Sequence, residues 1–374
     1  MRKSAQLETS CMIPTSRFSL HFDKNGLNRT SVMPKSFETV VVGLPWAGTS
    51  TVYAILDVLA SVGRDWAMLH GEQMHPSPFR ARLCTPDGTA YRDLNGRLIT
   101  PESVLPNPSQ TDLVIVPDLH LDPWKPLPEE LKPIADWAAQ VHEAGGIVTS
   151  VCSGALLLGL SGLLNGVDAT THWAYSERLA KEFEGVRVHR ERVLIPAGDG
   201  HRIVTAGGAS AWADLVLYLI AHLVGCEEAR RIAKLYLIEP HSQGQMGFAS
   251  LSASRQHSDA VVGGLQSWIA VNYEHSNPVQ EMARKAGMTE RTLLRRFRAA
   301  TGQTPSDYVQ TVRVEEAKQA LETSDTPIDE IAGEVGYAEP SAFRTAFKKR
   351  VGLSASEYRR KWQAKLNHAL GDAI

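Results

Sequence analysis

Cys152 stands where an apolar run, GGIVTSV (145–151), passes without a break into CSGALLLGLSGLL (152–164). A thiol on such a strand-to-helix turn faces helix N–H groups, which lower its pKa and build an anion site. His172 and Trp173 follow in TTHWAY, and Asp118 and His120 lie in VPDLHLDP. Thiol and imidazole are parts of covalent chemistry, Cys152 as nucleophile and His172 as its base. The same groups also serve as plain contacts in a ligand pocket, or as a helix cap and solvated loop residues. A second set of residues does another kind of chemistry. Residues 291–298 hold four arginines and no acid, and residues 344–350 hold Arg344, Lys348, Lys349 and Arg350, again with none. Arg291, Leu294, Arg295 and Arg298 recur at spacings of three and four, which puts them on one helix face, opposite Leu293 and Phe297. Packing has no use for a stripe of arginines; phosphates and guanine edges do.

The elements that must carry this second set repeat. Glu281, Ala283 and Gly287 recur 49 positions later as Glu330, Ala332 and Gly336. Leu293, Phe297, Gly302 and Tyr308 recur 50 later as Phe343, Phe347, Gly352 and Tyr358. Each copy reads as a short helix, a glycine turn and a basic second helix, the order of a helix-turn-helix. The two units span 278–302 and 327–352, and the second presents Ser341, Arg344, Thr345 and Lys348. Between them, 305–322 reads as one helix opened by Pro305, about 27 Å long at roughly 1.5 Å per residue. Adjacent major grooves on one face of DNA lie about 34 Å apart, so such a rod suits two reading helices on one duplex.

The first set needs a different frame. FETVVVGL (37–44), DLVIVPDL (112–119) and GGIVTSV (145–151) are apolar strand-like runs, each followed by a helical pattern: 49–62, 128–144 and 152–164. Strands of that kind alternating with helices predict an α/β domain, a mostly parallel sheet covered on both faces. Further strands are expected at 186–190, 192–196 and 201–206, then helices at 210–224 and 227–238. Ligands of such sheets collect beyond the carboxyl ends of the strands, here Leu44, Asp118, His120 and Cys152, with His172 and Trp173 nearby. Residues 1–36 read as a flexible extension, 37–240 as the α/β domain, 241–258 as a polar linker, and 259–374 as an all-α domain. A net charge of −2 over 374 residues makes any nucleic-acid footprint local. Cys11, Cys84, Cys152 and Cys226 are scattered, with no paired spacing and no secretory segment, so a reducing cytoplasm is expected. The histidines lack metal-ligand spacing and no apolar run matches a membrane span; neither metal, cofactor nor membrane partner is expected.

VTSVCSGALLLGLSGLLNG, THWAYSERL and VTAGGASAWADLVLYLI resemble the class I glutamine-amidotransferase-like superfamily, in its PfpI-type branch. The resemblance implies a flavodoxin-like sandwich with the cysteine at an elbow. In enzymes of that superfamily the Cys is the nucleophile, assisted by a His and an acid after the first strand. Here that gives Cys152, His172 and Asp57. MTERTLLRRF with Gly302, Arg313 in VRVEEAKQAL, and PIDEIAGEVGYAEPSAFRTAFKKRVGLSASEYR resemble AraC/XylS-type transcription regulators over residues 259–361. That likeness places base contacts on Arg291, Leu294 and Arg295, and on Pro340, Ser341, Arg344 and Thr345, with Arg298 and Lys348 beside them on the same faces. The fused architecture implies double-stranded promoter DNA and RNA polymerase as partners. It also implies a homodimer through the first domain and an activator controlled by a small polar effector, amino-acid-like or amine. A Cys-dependent hydrolase or hydratase with an attached DNA-binding domain is the alternative, and oxidation sensing at Cys152 a third.

Overall fold

The computed structural model describes residues 36–249 and 259–371; residues 1–35 of the extension and 250–258 of the linker lie outside them. The chain divides at Pro240 into two compact units. The first begins with β1 (Phe37–Val42), α1 (Thr49–Ser61), α2 (Asp65–His70) and β2 (Phe79–Thr85). Three two-residue strands follow, β3 (Tyr91–Arg92), β4 (Leu98–Ile99) and β5 (Ser103–Val104). Next come β6 (Leu113–Val116), α3 (Leu131–Glu143), β7 (Ile147–Val151) and α4 (Ala155–Leu160). The unit closes with β8 (Asp168–Ala169), α5 (Ser176–Glu182), β9 (Arg187–Val188), β10 (Leu194–Ala197), β11 (Ile203–Ala206), α6 (Trp212–Leu223) and α7 (Cys226–Leu235).

Seven strands make one sheet in the order β10-β11-β7-β6-β1-β2-β5. Only β10 runs antiparallel to its neighbour β11. Val40, Val41, Val42 and all of β6 are buried, as strands with helices on both faces must be. The mostly parallel α/β domain is therefore as the alternating pattern predicts. Three expectations change in detail. β2 is a full sheet strand that the pattern did not mark, because Arg80 and Arg82 interrupt its apolar run. The strand expected at 186–190 shrinks to β9, which pairs with β8 outside the main sheet. The helix expected from 152 opens as a 3-10 turn, Cys152–Gly154, and its regular part ends at Leu160.

The second unit is helical: α8 (Ala260–Ile269), α9 (Pro278–Lys285), α10 (Glu290–Thr301), α11 (Pro305–Thr323), α12 (Ile328–Glu334), α13 (Pro340–Val351) and α14 (Ala355–Gly371). It has two cores. One gathers Leu265, Ile269, Met282, Leu293 and Phe297; the other gathers Ile331, Val335, Phe343, Phe347 and Tyr358. α11 serves both, giving Tyr308, Val309 and Val312 to the first and Val314, Ala317 and Leu321 to the second. A rod whose two ends are buried in different cores cannot pivot freely about either. The expected linker is shorter than its composition implies, since residues 241–249 belong to this unit. Phe248 meets the Trp362 ring edge-on at 5.2 Å, and the Ala249 carbonyl accepts a hydrogen bond from buried Lys318 at 2.9 Å. A buried ammonium needs such acceptors, and Glu315 supplies another at 2.9 Å.

Candidate effector site and nucleic-acid interface

β6 and β7 are neighbours, so Asp118 and Cys152 leave the sheet side by side at its carboxyl edge. The elbow is tight. Cys152 has φ +56°, a left-handed conformation that a side-chain-bearing residue adopts only under strain. Gly154 lets the turn approach β6: a Cβ there would lie 2.5 Å from the Pro117 carbonyl oxygen. Ser153 fastens the two loops, its hydroxyl accepting from the Leu119 N–H at 2.8 Å and donating to the Leu119 carbonyl at 2.5 Å. Thr171 adds a hydrogen bond from its hydroxyl to the Cys152 carbonyl at 2.7 Å.

The electrostatics overturn the expectation of an acidic thiol. Burial, with the Asp118 charge beside it, pushes the Cys152 thiol up to about 12. Loss of solvation and a neighbouring anion outweigh the few N–H groups of a three-residue turn. Nor does the proposed acid turn toward the sheet. Asp57 is exposed, because Ile55, Val58 and Leu59 turn the inner face of α1 to the sheet and leave Asp57 outside. The Cys152–His172–Asp57 arrangement is therefore not assembled at its acid. His172 is half-buried, and burial lowers its pKa. Its Nδ1 accepts the Ala174 N–H at 3.1 Å, a turn-capping role, and its ring lies 4.8 Å from that of Trp173.

Asp118 is the unusual group. It is buried, and its Oδ1 has no hydrogen-bond partner. The carboxylate lies against Gly48, where a Cβ would come within 2.3 Å of Oδ2, while the Asp118 carbonyl accepts the Gly48 N–H at 2.9 Å. His120 Nδ1 stands 3.9 Å from Oδ2 and reaches the Trp46 carbonyl instead, at 3.3 Å. Leu44 is buried in the same hydrophobic core as Cys152. Gly48 and Tyr175 join the site without standing among the residues expected from the sequence. The Tyr175 hydroxyl donates to the Leu121 carbonyl at 2.5 Å, and burial first, then the nearby Cys152, raises its pKa. The signal for Tyr175 lay in the same TTHWAY stretch.

On the second unit, α10 is capped by the Thr289 hydroxyl, which accepts the Thr292 N–H at 3.3 Å, and ends at Gly302 with φ +75°. Leu293 and Phe297 are fully buried, while Arg291, Leu294, Arg295 and Arg298 are exposed and line a shallow concavity together with Ala299. Among the described residues no carboxylate pairs with Arg291, Arg295 or Arg298. Arg296 points elsewhere, to Asp259 at the cap of α8, at 2.7 Å. On α13, Ser341, Arg344, Thr345 and Lys348 are exposed and Pro340 opens the helix half-buried. There Arg344 forms an ion pair with Asp329 of α12.

Two family models match the chain. The DJ-1/PfpI family matches residues 72–222, and a helix-turn-helix domain matches residues 282–361. The protein joins a DJ-1/PfpI domain to an AraC-type helix-turn-helix domain. Over 296 residues it is 25% identical to the HTH-type transcriptional regulator CdhR of Pseudomonas aeruginosa, which covers 77% of this chain and 83% of that one. The HTH-type transcriptional regulator GlxA of Rhizobium meliloti is 30% identical over 217 residues, 57% of this chain and 65% of its own length. The isonitrile hydratase of Pseudomonas putida is 44% identical over 85 residues, 23% of this chain and 35% of the enzyme. The joined domains and the named relatives make the protein a DNA-binding transcription regulator of the AraC family. No helix among the described residues is long and apolar enough to cross a membrane.

Proposed function

We propose that this regulator is an activator controlled by a small metabolite bound at the carboxyl edge of its DJ-1/PfpI sheet, and that the metabolite is a cationic amine. The observation that carries the reading is the buried Asp118 carboxylate with an unpartnered oxygen. A buried anion is costly unless a cation or several donors meet it, and an ammonium group supplies both. Trp46, His120, Trp173 and Tyr175 would wall the remainder, their rings suited to a cation. Arg291, Leu294, Arg295 and Arg298 read one half-site, and Pro340, Ser341, Arg344, Thr345 and Lys348 hold the second. Dimerisation through the first domain, contact with RNA polymerase and a cytoplasmic location belong to the same reading and rest on likeness to the regulator family.

Thermal melting of the full chain against matched amines and carboxylates tests this. A binding amine at one hundred times its Kd stabilises by about 2.7 kcal/mol, and Asp118→Asn removes the shift. A shift produced by carboxylates alone would overturn the reading. Hydratase- or hydrolase-type chemistry at Cys152 is the weaker alternative; the strained elbow and the isonitrile hydratase likeness favour it. Iodoacetamide labelling separates the two. A thiol held near 12 reacts slowly until the pH is far above its free value of roughly 8.5, whereas a nucleophile labels at neutral pH.

A further inference from the structure

The two helix-turn-helix units touch at one tight joint, and Gly336 is its centre. Gly336 closes the turn after α12 with φ +88°, and a Cβ on it would lie 2.7 Å from both the Cα and the carbonyl oxygen of Glu274. Glu274 belongs to the turn between α8 and α9, which leads into the first unit. Backbone against backbone leaves nothing flexible to yield, so any side chain at 336 forces the units apart. Arg313 of α11 clasps the same place. It is buried, and its Nε and Nη2 donate to the carbonyls of Tyr273 and His275, each at 2.7 Å. Its guanidinium also lies 5.3 Å from the centre of the Tyr337 ring, which belongs to the second unit. Tyr273 itself packs against both cores. A second tie joins the reading helix α13 to the start of α11, where Arg350 meets Asp307 and Thr311, each at 3.2 Å.

The counterpart turn has none of this. Gly287 has φ +62°, and a Cβ there meets nothing within 4 Å. The repeat therefore kept glycine at both turns for backbone reasons but uses only the second as a contact. We propose that the Gly336–Glu274 joint, clasped by Arg313, is the gauge that fixes the separation of α10 and α13 and so selects the spacing between the two half-sites in DNA. Gly336 and Arg313 are positioning residues; neither needs to touch a base. Two heads held at one separation bind a matched site with an intramolecular second step, and lose that advantage when the spacing is wrong. The inference rests on the reading that both α10 and α13 enter DNA.

Selection by the full chain from a duplex library randomised over about three helical turns tests it. The wild type should enrich a two-part motif at one spacing. Gly336→Ala should keep both half-motifs but spread their separation, with preference for the best spacing over its neighbours falling roughly ten-fold. Arg313→Met removes the clasp without adding a Cβ and should spread the spacing too, which keeps the test open if the alanine variant does not fold. Val351→Ala, a core truncation away from the joint, should lower the melting temperature and leave the spacing alone. Unchanged spacing in both joint variants overturns the proposal, as does equal spreading in Val351→Ala. A wild-type motif with a single half overturns it through the two-head reading. That failure is recognised separately, because the joint variants then enrich the same single half.

Discussion

The two helix-turn-helix units are alike inside and unlike outside. Each buries an i, i+4 pair without remainder, Leu293 with Phe297 and Phe343 with Phe347. Each reading helix ends on a left-handed glycine, Gly302 at +75° and Gly352 at +81°. Their outer faces diverge. The first helix has a side-chain cap and exposes three arginines that no carboxylate meets among the described residues. The second has Pro340 in place of a capping contact, and its Arg344 and Arg350 are engaged by Asp329 and Asp307. The difference teaches that packing preserves a repeated motif, while the charge placed around it decides what each copy does. On the proposed reading, the first unit reads bases while the second grips and sets distance.

The largest effects should show the likeness. Phe297→Ala and Phe347→Ala should each destabilise by about 3–5 kcal/mol, since each empties a fully buried aromatic site. Urea unfolding measures both. Because α11 is shared between the cores, either change should lower a single common transition. A harmless change at one site would mean that the cores are not equivalent.

The next effect should show the divergence. Arg295→Ala should cost about 1–3 kcal/mol on the preferred site and relax base choice at one position. Equal weakening on preferred and random duplexes would demote Arg295 to a phosphate contact and blunt the contrast between the units. Lys348→Ala should behave in that second way from the outset. It should weaken all duplexes alike and reduce the slope of log K against log salt by about 1. An unaltered slope would remove Lys348 from the DNA backbone.

The sequence made the inner halves legible and the outer arrangements only partly so. The strand-to-helix steps fixed the parallel sheet, because buried β-branched runs such as Val40–Val42 have few other places to go. The paired glycines and aromatics fixed the helical repeat. β2 escaped because Arg80 and Arg82 break its pattern, and its membership depends on pairing with β1 across 42 positions, Phe37 with Phe79. The wrong placing of Asp57 was avoidable, since the helical period of Ile55, Val58 and Leu59 already turned it outward. The upward shift of the thiol is not legible in this way: it comes first from burial and then from Asp118, a residue 34 positions away that only the adjacency of β6 and β7 brings near. The engaged state of Arg344 was hidden for the same reason, its partner Asp329 lying on the preceding helix.

That pair allows the finest test of the comparison. Asp329 and Arg344 are both more than half exposed, so the ion pair itself is worth at most about 1 kcal/mol after solvent screening. Its consequence for DNA has a definite sign, however. If α13 enters DNA as proposed, Asp329 competes with phosphate or base for the guanidinium and also places a negative charge near a polyanion. Asp329→Asn should therefore tighten DNA binding by up to about 1 kcal/mol at low salt, with less gain as salt rises. If the second unit grips rather than reads, the gain should be the same on preferred and random duplexes; a gain confined to the preferred site would make Arg344 a reader and the two units equals. The Arg344→Ala background completes a double-mutant cycle, in which the part of the gain owed to freeing Arg344 disappears and the part owed to removed charge remains. No gain from Asp329→Asn in either background would mean that α12 and α13 stand away from the duplex, and the contrast between the units would have to be drawn elsewhere.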